Sequence, residues 1–129
     1  YLIKPNLSEL GRLAGRSHIE IHEVEKIARE IIAKERCEVM VVSMGAAGAM
    51  LVTKELTPSF TPPDVKKKST IGAGDSMVAG IVHYLSTGYS ITEAVQYGVA
   101  CGSAATMNPG TALCKKEDAD KLYSEVQRK

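Results

Sequence analysis

Val39-Met40-Val41-Val42 is an unbroken apolar run, and no other stretch narrows the fold so far. Successive side chains of a strand point to opposite faces, so four apolar residues in a row load both faces. Such a strand belongs in a sheet covered on both sides. Its surroundings repeat the theme. From His22 to Lys34, apolar residues fall at Val24, Ile27, Ala28, Ile31 and Ile32 with charges between, the spacing of an amphipathic helix. Leu2 and Ile3, after Tyr1, read as the end of a buried strand broken by Lys4-Pro5-Asn6. Asn6 or Ser8 can cap a helix from about Leu7 to Ala14.

After the central run, Gly45 and Gly48 mark a turn, and Ala49 to Thr53 reads as a return strand of a hairpin. Residues 57–65 hold Pro58, Pro62 and Pro63 and are expected to be extended or edge-like. Helices are expected over Gly74–Leu85, over Ile91–Met107, which is rich in Ala and nearly uncharged, and over Glu117–Val126. Strands alternating with helices argue an α/β fold, in which ligands sit at the carboxyl ends of strands.

The 129 residues have the length of one domain, and 44% hydrophobic with 24% charged residues is an ordinary globular composition. A net charge of +1 gives no bulk electrostatic case for nucleic acid or a membrane surface. No apolar run approaches the ~20 residues needed to span a bilayer. The chain opens on Tyr1 rather than Met and reads as a piece of a longer protein. Cys37, Cys101 and Cys114 are odd in number and lack metal-ligand spacing, which reads as reduced thiols in a cytoplasmic protein. His18, His22 and His83 have no spacing partner for a metal and read as structural or solvated. Tyr84, Tyr89 and Tyr97 have no basic neighbours that would make a base-stacking platform.

Chemistry concentrates in Ser69-Thr70-Ile71-Gly72-Ala73-Gly74-Asp75-Ser76, just ahead of a helical pattern. Small residues let backbone approach a ligand, and helix-start N–H groups attract phosphate. Asp75 adds a carboxylate able to take a proton. The bland alternative is a tight turn into a helix. The dinucleotide fingerprint fails because Met77 stands where its third glycine belongs, and a Walker A loop fails because no Lys follows Gly74. Three further segments stop at element ends: Asn6 with Glu9, Ser43-Met44-Gly45, and Asn108-Pro109-Gly110-Thr111.

Together these blocks resemble the ribokinase-like, or PfkB, family of carbohydrate kinases, from Lys4 to about Cys114. Within it they look most like the branch of minor-type 6-phosphofructokinases. The resemblance implies a doubly wound, mostly parallel sheet with helices on both faces. Residues 1–129 would be the C-terminal nucleotide-binding and catalytic part of the large domain, with the N-terminal half and its β lid absent. It implies transfer of the γ-phosphoryl group of ATP to a sugar hydroxyl, fructose 6-phosphate first in line. Fructose 1-phosphate, tagatose 6-phosphate, ribose or a nucleoside remain alternatives, as does a non-catalytic nucleotide-binding fragment. The full-length protein is expected to be a homodimer through the lid, and the isolated piece to lack useful turnover.

Roles follow from the resemblance position by position. Asp75 matches the catalytic base, and the amides of Gly72, Ala73 and Gly74 match an anion hole. Asn6 and Glu9 match the pair that orders triphosphate and water-bound Mg²⁺. Lys4, Ser43, Gly45 and Gly48 match nucleotide-lining positions, and Val99 and Ser103 the adenine side. Ser69, Ile71, Ala105, Asn108, Gly110 and Ala112 match a K⁺ loop built largely from carbonyls. Lys67, within Lys66-Lys67-Lys68, is a further nucleotide contact or part of a solvated run. The chain departs from the branch at Ser8, where a lysine near the phosphates is usual.

Overall fold

The computed structural model describes residues 2–34, 37–67, 69–70, 72–108 and 114–129, in two compact units, Tyr1–Ser59 and Phe60–Lys129. In the first unit, β1 (Leu2–Ile3) lies parallel to β2 (Val39–Ser43), and β2 pairs antiparallel with β3 (Ala49–Val52). The register sets Leu2 against Val39, Met40 against Val52, and Ser43 against Ala49. The expected hairpin is present. Its connection is a tight 3₁₀ turn (Gly45–Ala47), closed by the Met44 N–H donating to the Gly48 carbonyl at 2.8 Å. Gly45 (φ 58°) and Gly48 (φ 96°) take backbone angles that side chains disfavour, so glycine at both positions makes the turn possible.

Between β1 and β2 run α1 (Leu7–Leu13), a 3₁₀ turn (Ile21–Glu23) and α2 (Val24–Ala33). All five apolar positions expected on α2 are buried. They share a core with Leu10 and Ile19, and with Met40, Val42 and Val52 of the strands. Val41 and Leu51, opposite each other in the register, are also fully buried but lie outside that cluster, on the other face of the pleat. This is the two-sided burial that the apolar run demanded.

The second unit holds α3 (Ala73–Ser86), α4 (Ile91–Thr106), α5 (Lys116–Tyr123) and β5 (Gln127–Arg128), the last antiparallel to β4 (Ser59–Thr61). β4 falls in the segment expected to be extended, and β5 corrects the reading at the C-terminal end. Phe60, the one phenylalanine, is fully buried between the prolines, and it pairs with Arg128. The last helix stops at Tyr123 instead of reaching Val126, and the chain ends extended. Periodicity could not show this, because the partner of each short strand is more than 60 positions away.

Helices α3 and α4 touch through glycine. A Cβ on Gly98 would sit 2.6 Å from Ile81 Cγ1 and 2.9 Å from the Met77 carbonyl oxygen. One on Gly80 would sit 2.7 Å from Cys101 Sγ. Glycine therefore sets how near the two axes come. At the far end the tyrosines do stack, on one another. The Tyr84 ring centroid lies 4.0 Å from that of Tyr97 and 4.1 Å from that of Tyr89, the rings nearly parallel, with Tyr123 tilted against Tyr84 and Tyr97. Both faces of Tyr84 are thus occupied by protein. Two hydrogen bonds fasten α5 to α4: Tyr97 Oη donates to Asp120 Oδ1 at 3.0 Å, and Gln96 Nε2 donates to the Tyr123 carbonyl at 3.0 Å.

Candidate active site

In the first unit the site residues collect at the carboxyl ends of the parallel strands. β1 leads into Lys4-Pro5-Asn6, and β2 ends at Ser43. The Ser43 N–H donates to the Pro5 carbonyl at 3.0 Å, and Asn6 bridges to Ser43 in the parallel sense. Lys4 Nζ reaches Ser43 Oγ at 3.4 Å. Lys4, Asn6 and Ser43 are 39 or fewer positions apart in sequence but adjacent here, because parallel strands bring their ends into line.

Asn6 is the N-cap of α1, and Glu9 completes a capping box. The Glu9 N–H donates to Asn6 Oδ1 at 2.8 Å, and the Asn6 N–H donates to Glu9 Oε1 at 3.0 Å. The three-residue spacing that the sequence showed has a structural purpose of its own. Only one Glu9 carboxylate oxygen takes part among the described residues, and the side chain is exposed. The other is open to water or a hydrated divalent cation, a hard-oxygen donor of the kind Mg²⁺ takes. A cleft of about 480 Å³ opens beside it, lined by Ile3, Lys4, Pro5, Glu9, Arg12 and Leu13. Sequence reading missed Arg12. Its signal was the i, i+3 spacing from Glu9, which puts a second cation on the same helix face. Two cations around one carboxylate suit a phosphate-bearing ligand that carries a metal.

In the second unit, Gly72 caps α3 with φ 83° and ψ −4°, a left-handed turn that glycine makes without strain. The Ser76 N–H closes the first helical bond on the Gly72 carbonyl at 3.0 Å. The Ala73 N–H already donates, weakly, to the Thr70 carbonyl at 3.4 Å. Helix geometry leaves the amides of the first turn, those of Gly74 and Asp75 among them, without a partner inside the helix. Both residues are exposed, and Asp75 stands in that first turn.

The end of α4 meets this loop. The Ser69 N–H donates to the Thr106 carbonyl at 3.2 Å, and a Cβ on Gly102 would lie 3.3 Å from the Ala73 carbonyl. The Asn108 N–H donates to the Ala105 carbonyl at 3.2 Å, and Asn108 is buried. Ser69, Ala105 and Asn108 thus gather at one place, offering the hard oxygens an alkali cation takes. Ile71, Gly110 and Ala112 lie outside the described residues. Val99 and Ser103 are buried in α4, at 2% and 8% exposure, and present little surface to a ligand as the helix stands. Lys66 and Lys67 are both exposed. Ser76, assigned no role from sequence, is buried and accepts the Cys114 N–H at 3.3 Å. Among the described residues no group of three His, Cys, Asp or Glu could hold a metal, and no helix is long and apolar enough to cross a membrane.

The cap that leaves amides open beside a carboxylate in one unit, and the cleft with two cations at a strand end in the other, are each features that suit a phosphate-bearing ligand. The chain belongs to the pfkB family of carbohydrate kinases, whose profile matches residues 1–118. It is 43% identical to ATP-dependent 6-phosphofructokinase isozyme 2 of Escherichia coli (strain K12), over 98% of this chain and 41% of that one. It is 30% identical to 1-phosphofructokinase of Borreliella burgdorferi, over 98% and 41%. The crystal structure of phosphofructokinase-2 from Escherichia coli in complex with potassium superposes with a TM-score of 0.90, at 44% identity, covering 96% of this chain and 40% of that one. The ribokinase-like fold expected from the sequence is therefore present, in mixed form. The chain spans about 41% of the length of the curated relatives named here.

Proposed function

We propose that the protein of which this chain is part transfers the γ-phosphoryl group of ATP to a sugar hydroxyl, with fructose 6-phosphate as acceptor and the 1-hydroxyl as nucleophile. The exposed Asp75 in the first turn of α3, beside open helix amides, carries this reading. Asp75 accepts the acceptor's proton as the new O–P bond forms, a role worth roughly 10²–10⁴-fold in rate. The amides that Gly72 exposes hold the equatorial oxygens while charge shifts across them; losing one such donor costs on the order of 10²–10³-fold. Lys4, Ser43 and the Gly45–Gly48 turn line the nucleotide, with Lys67 as a further contact. Mg²⁺-bound ATP supplies the phosphoryl group and neutralises its charge when bound. Asn6 and Glu9 would hold it through water, and Ser69, Ala105 and Asn108 would hold K⁺ with Ile71, Gly110 and Ala112.

The relatives named for both 6-phosphofructokinase and 1-phosphofructokinase activity support the class and keep fructose 1-phosphate as a second acceptor. We assign the protein to the cytoplasm, as a homodimer joined through a lid outside these residues. The deciding experiment is a panel of free and phosphorylated sugars against the full-length protein with Mg-ATP and K⁺. Fructose 6-phosphate should give the highest kcat/KM. Preference for fructose 1-phosphate would move the assignment to the second acceptor, and no turnover on any sugar would refute the kinase.

A further inference from the structure

We propose that Arg12 binds the outer phosphates of the metal-bound nucleotide, as the cationic wall of the cleft beside Glu9. The inference rests on the kinase reading above and adds a specificity residue to it. Arg12 lines the cleft of about 480 Å³ together with Lys4, Pro5 and Glu9. It stands in the last turn of α1, three positions after Glu9, so the two side chains share a helix face. Ser8 lies one turn before Arg12 on that face and is short and neutral, which leaves Arg12 as the cation of the strip.

The two other described arginines of this unit are spent on carboxylates. Arg16 Nη1 lies 2.6 Å from Glu23 Oε2, and Arg29 Nε lies 3.2 Å from Glu25 Oε1. Arg12 is exposed and makes no ion pair or side-chain hydrogen bond among the described residues. The carboxylate three positions away does not neutralise it. Glu9 Oε1 accepts the Asn6 N–H at 3.0 Å, and this capping box holds the Glu9 side chain toward the head of α1. Lys4 Nζ meets a neutral partner, Ser43 Oγ at 3.4 Å. The cleft thus presents two cations for one carboxylate.

That balance selects the ligand. A hydrated divalent cation takes the open Glu9 oxygen, and the phosphate oxygens it carries take the two cations. A nucleoside triphosphate brings such a metal with it, whereas a sugar monophosphate has less need of one. The two cations then differ in what they contribute. Lys4 offers a point charge, and the Arg12 guanidinium a planar fork that matches two phosphate oxygens at once. Arg12 is therefore placed to favour a polyphosphate over a single phosphate group.

The test uses the full-length protein and isothermal titration calorimetry, with a non-hydrolysable ATP analogue plus Mg²⁺ and, separately, with fructose 6-phosphate. Arg12→Gln is expected to weaken the analogue about 10–100-fold, the loss of one charge-assisted contact, and to leave fructose 6-phosphate affinity unchanged. Arg12→Lys should recover part of the loss, because the charge returns without the fork. The gap between wild type and Arg12→Gln should narrow as salt is raised. In turnover, KM for Mg-ATP should rise with little change in kcat. Glutamine is a good helix former and Arg12 has no described partner to lose, so Tm should hold. Equal analogue affinity in Arg12→Gln and wild type would overturn the proposal and leave the kinase reading standing. A loss confined to fructose 6-phosphate would also overturn it, by moving the contact to the acceptor. Equal losses for both ligands with a fall in Tm would make Arg12 a structural residue and overturn it as well. Wild-type protein that binds no nucleotide would refute the kinase reading, and this inference with it.

Discussion

Gly98→Ala sets two opposing effects against each other, and the geometry decides between them. In an exposed helix interior, alanine is favoured over glycine by about 1 kcal/mol. At Gly98 the new methyl would meet Ile81 Cγ1 at 2.6 Å, Met77 O at 2.9 Å and Ile81 Cδ1 at 3.1 Å. The first neighbour is a β-branched side chain with little χ1 freedom, and the second is backbone within α3. Neither can yield without separating α3 from α4. Overpacking of this kind costs roughly 1–3 kcal/mol, and two contacts below 3 Å put it at the upper end. The expected net loss is about 1–2 kcal/mol, or roughly 3–10 °C in Tm for a chain of this size. Gly102→Ala is the control, four positions along the same face. Its nearest contact is the Ala73 carbonyl at 3.3 Å, which needs to give by only a few tenths of an ångström. There the helix gain and the crowding should cancel to within ~0.5 kcal/mol. Urea unfolding followed by far-UV circular dichroism measures both. A Gly98→Ala protein as stable as wild type, or stabilised by the full helix gain, would show that α3 and α4 do not pack through glycine.

Asp75→Asn should leave nucleotide affinity within a few-fold and lower kcat by at least ~10²; near-normal turnover in a coupled assay would remove Asp75 from its role. Glu9→Gln is a clean charge deletion because glutamine also completes a capping box. Its Tm should stay within experimental error, and the Mg²⁺ concentration for half-maximal activity should rise; an unchanged Mg²⁺ titration would argue that Glu9 only caps α1. The tyrosine cluster predicts alkaline lability. Burial raises the phenol of Tyr97, with its Asp120 hydrogen bond adding to the shift, and burial likewise raises Tyr84 and Tyr123 above the ordinary value of 10.0. A group whose folded pKa is raised contributes stability that is complete below the unfolded value and lost as pH climbs through the folded one. Stability should therefore hold up to about pH 10 and fall above it. Tyrosinate absorbance that rises fully at pH 10 with no loss of helix signal would contradict the burial argument.

The helices α1 to α4 were legible within two or three residues because their apolar spacing and caps are local signals. Asn6 is the clearest case, a cap whose partner Glu9 is three positions on. The chemical block at 69–76 was equally local, since a small-residue cap followed by a carboxylate is written in consecutive positions. What escaped was set by partners far along the chain. β5 became a strand because Arg128 found Phe60. The tyrosines turned from separate residues into a stack because α3 and α4 cross with glycine at the contact.

The sequence by itself determined the α/β alternation, the two-sided burial of β2 and the residue types able to handle phosphate, because periodicity and backbone preference act over a few bonds. Only the tertiary structure decided that Ser43 comes to Lys4 and Asn6, and that Tyr84 of α3 stacks on Tyr97 of α4. Those are contacts between residues whose sequence separation carries no local signal. Parallel strand ends and glycine-spaced helices bring them together, and packing fixes them.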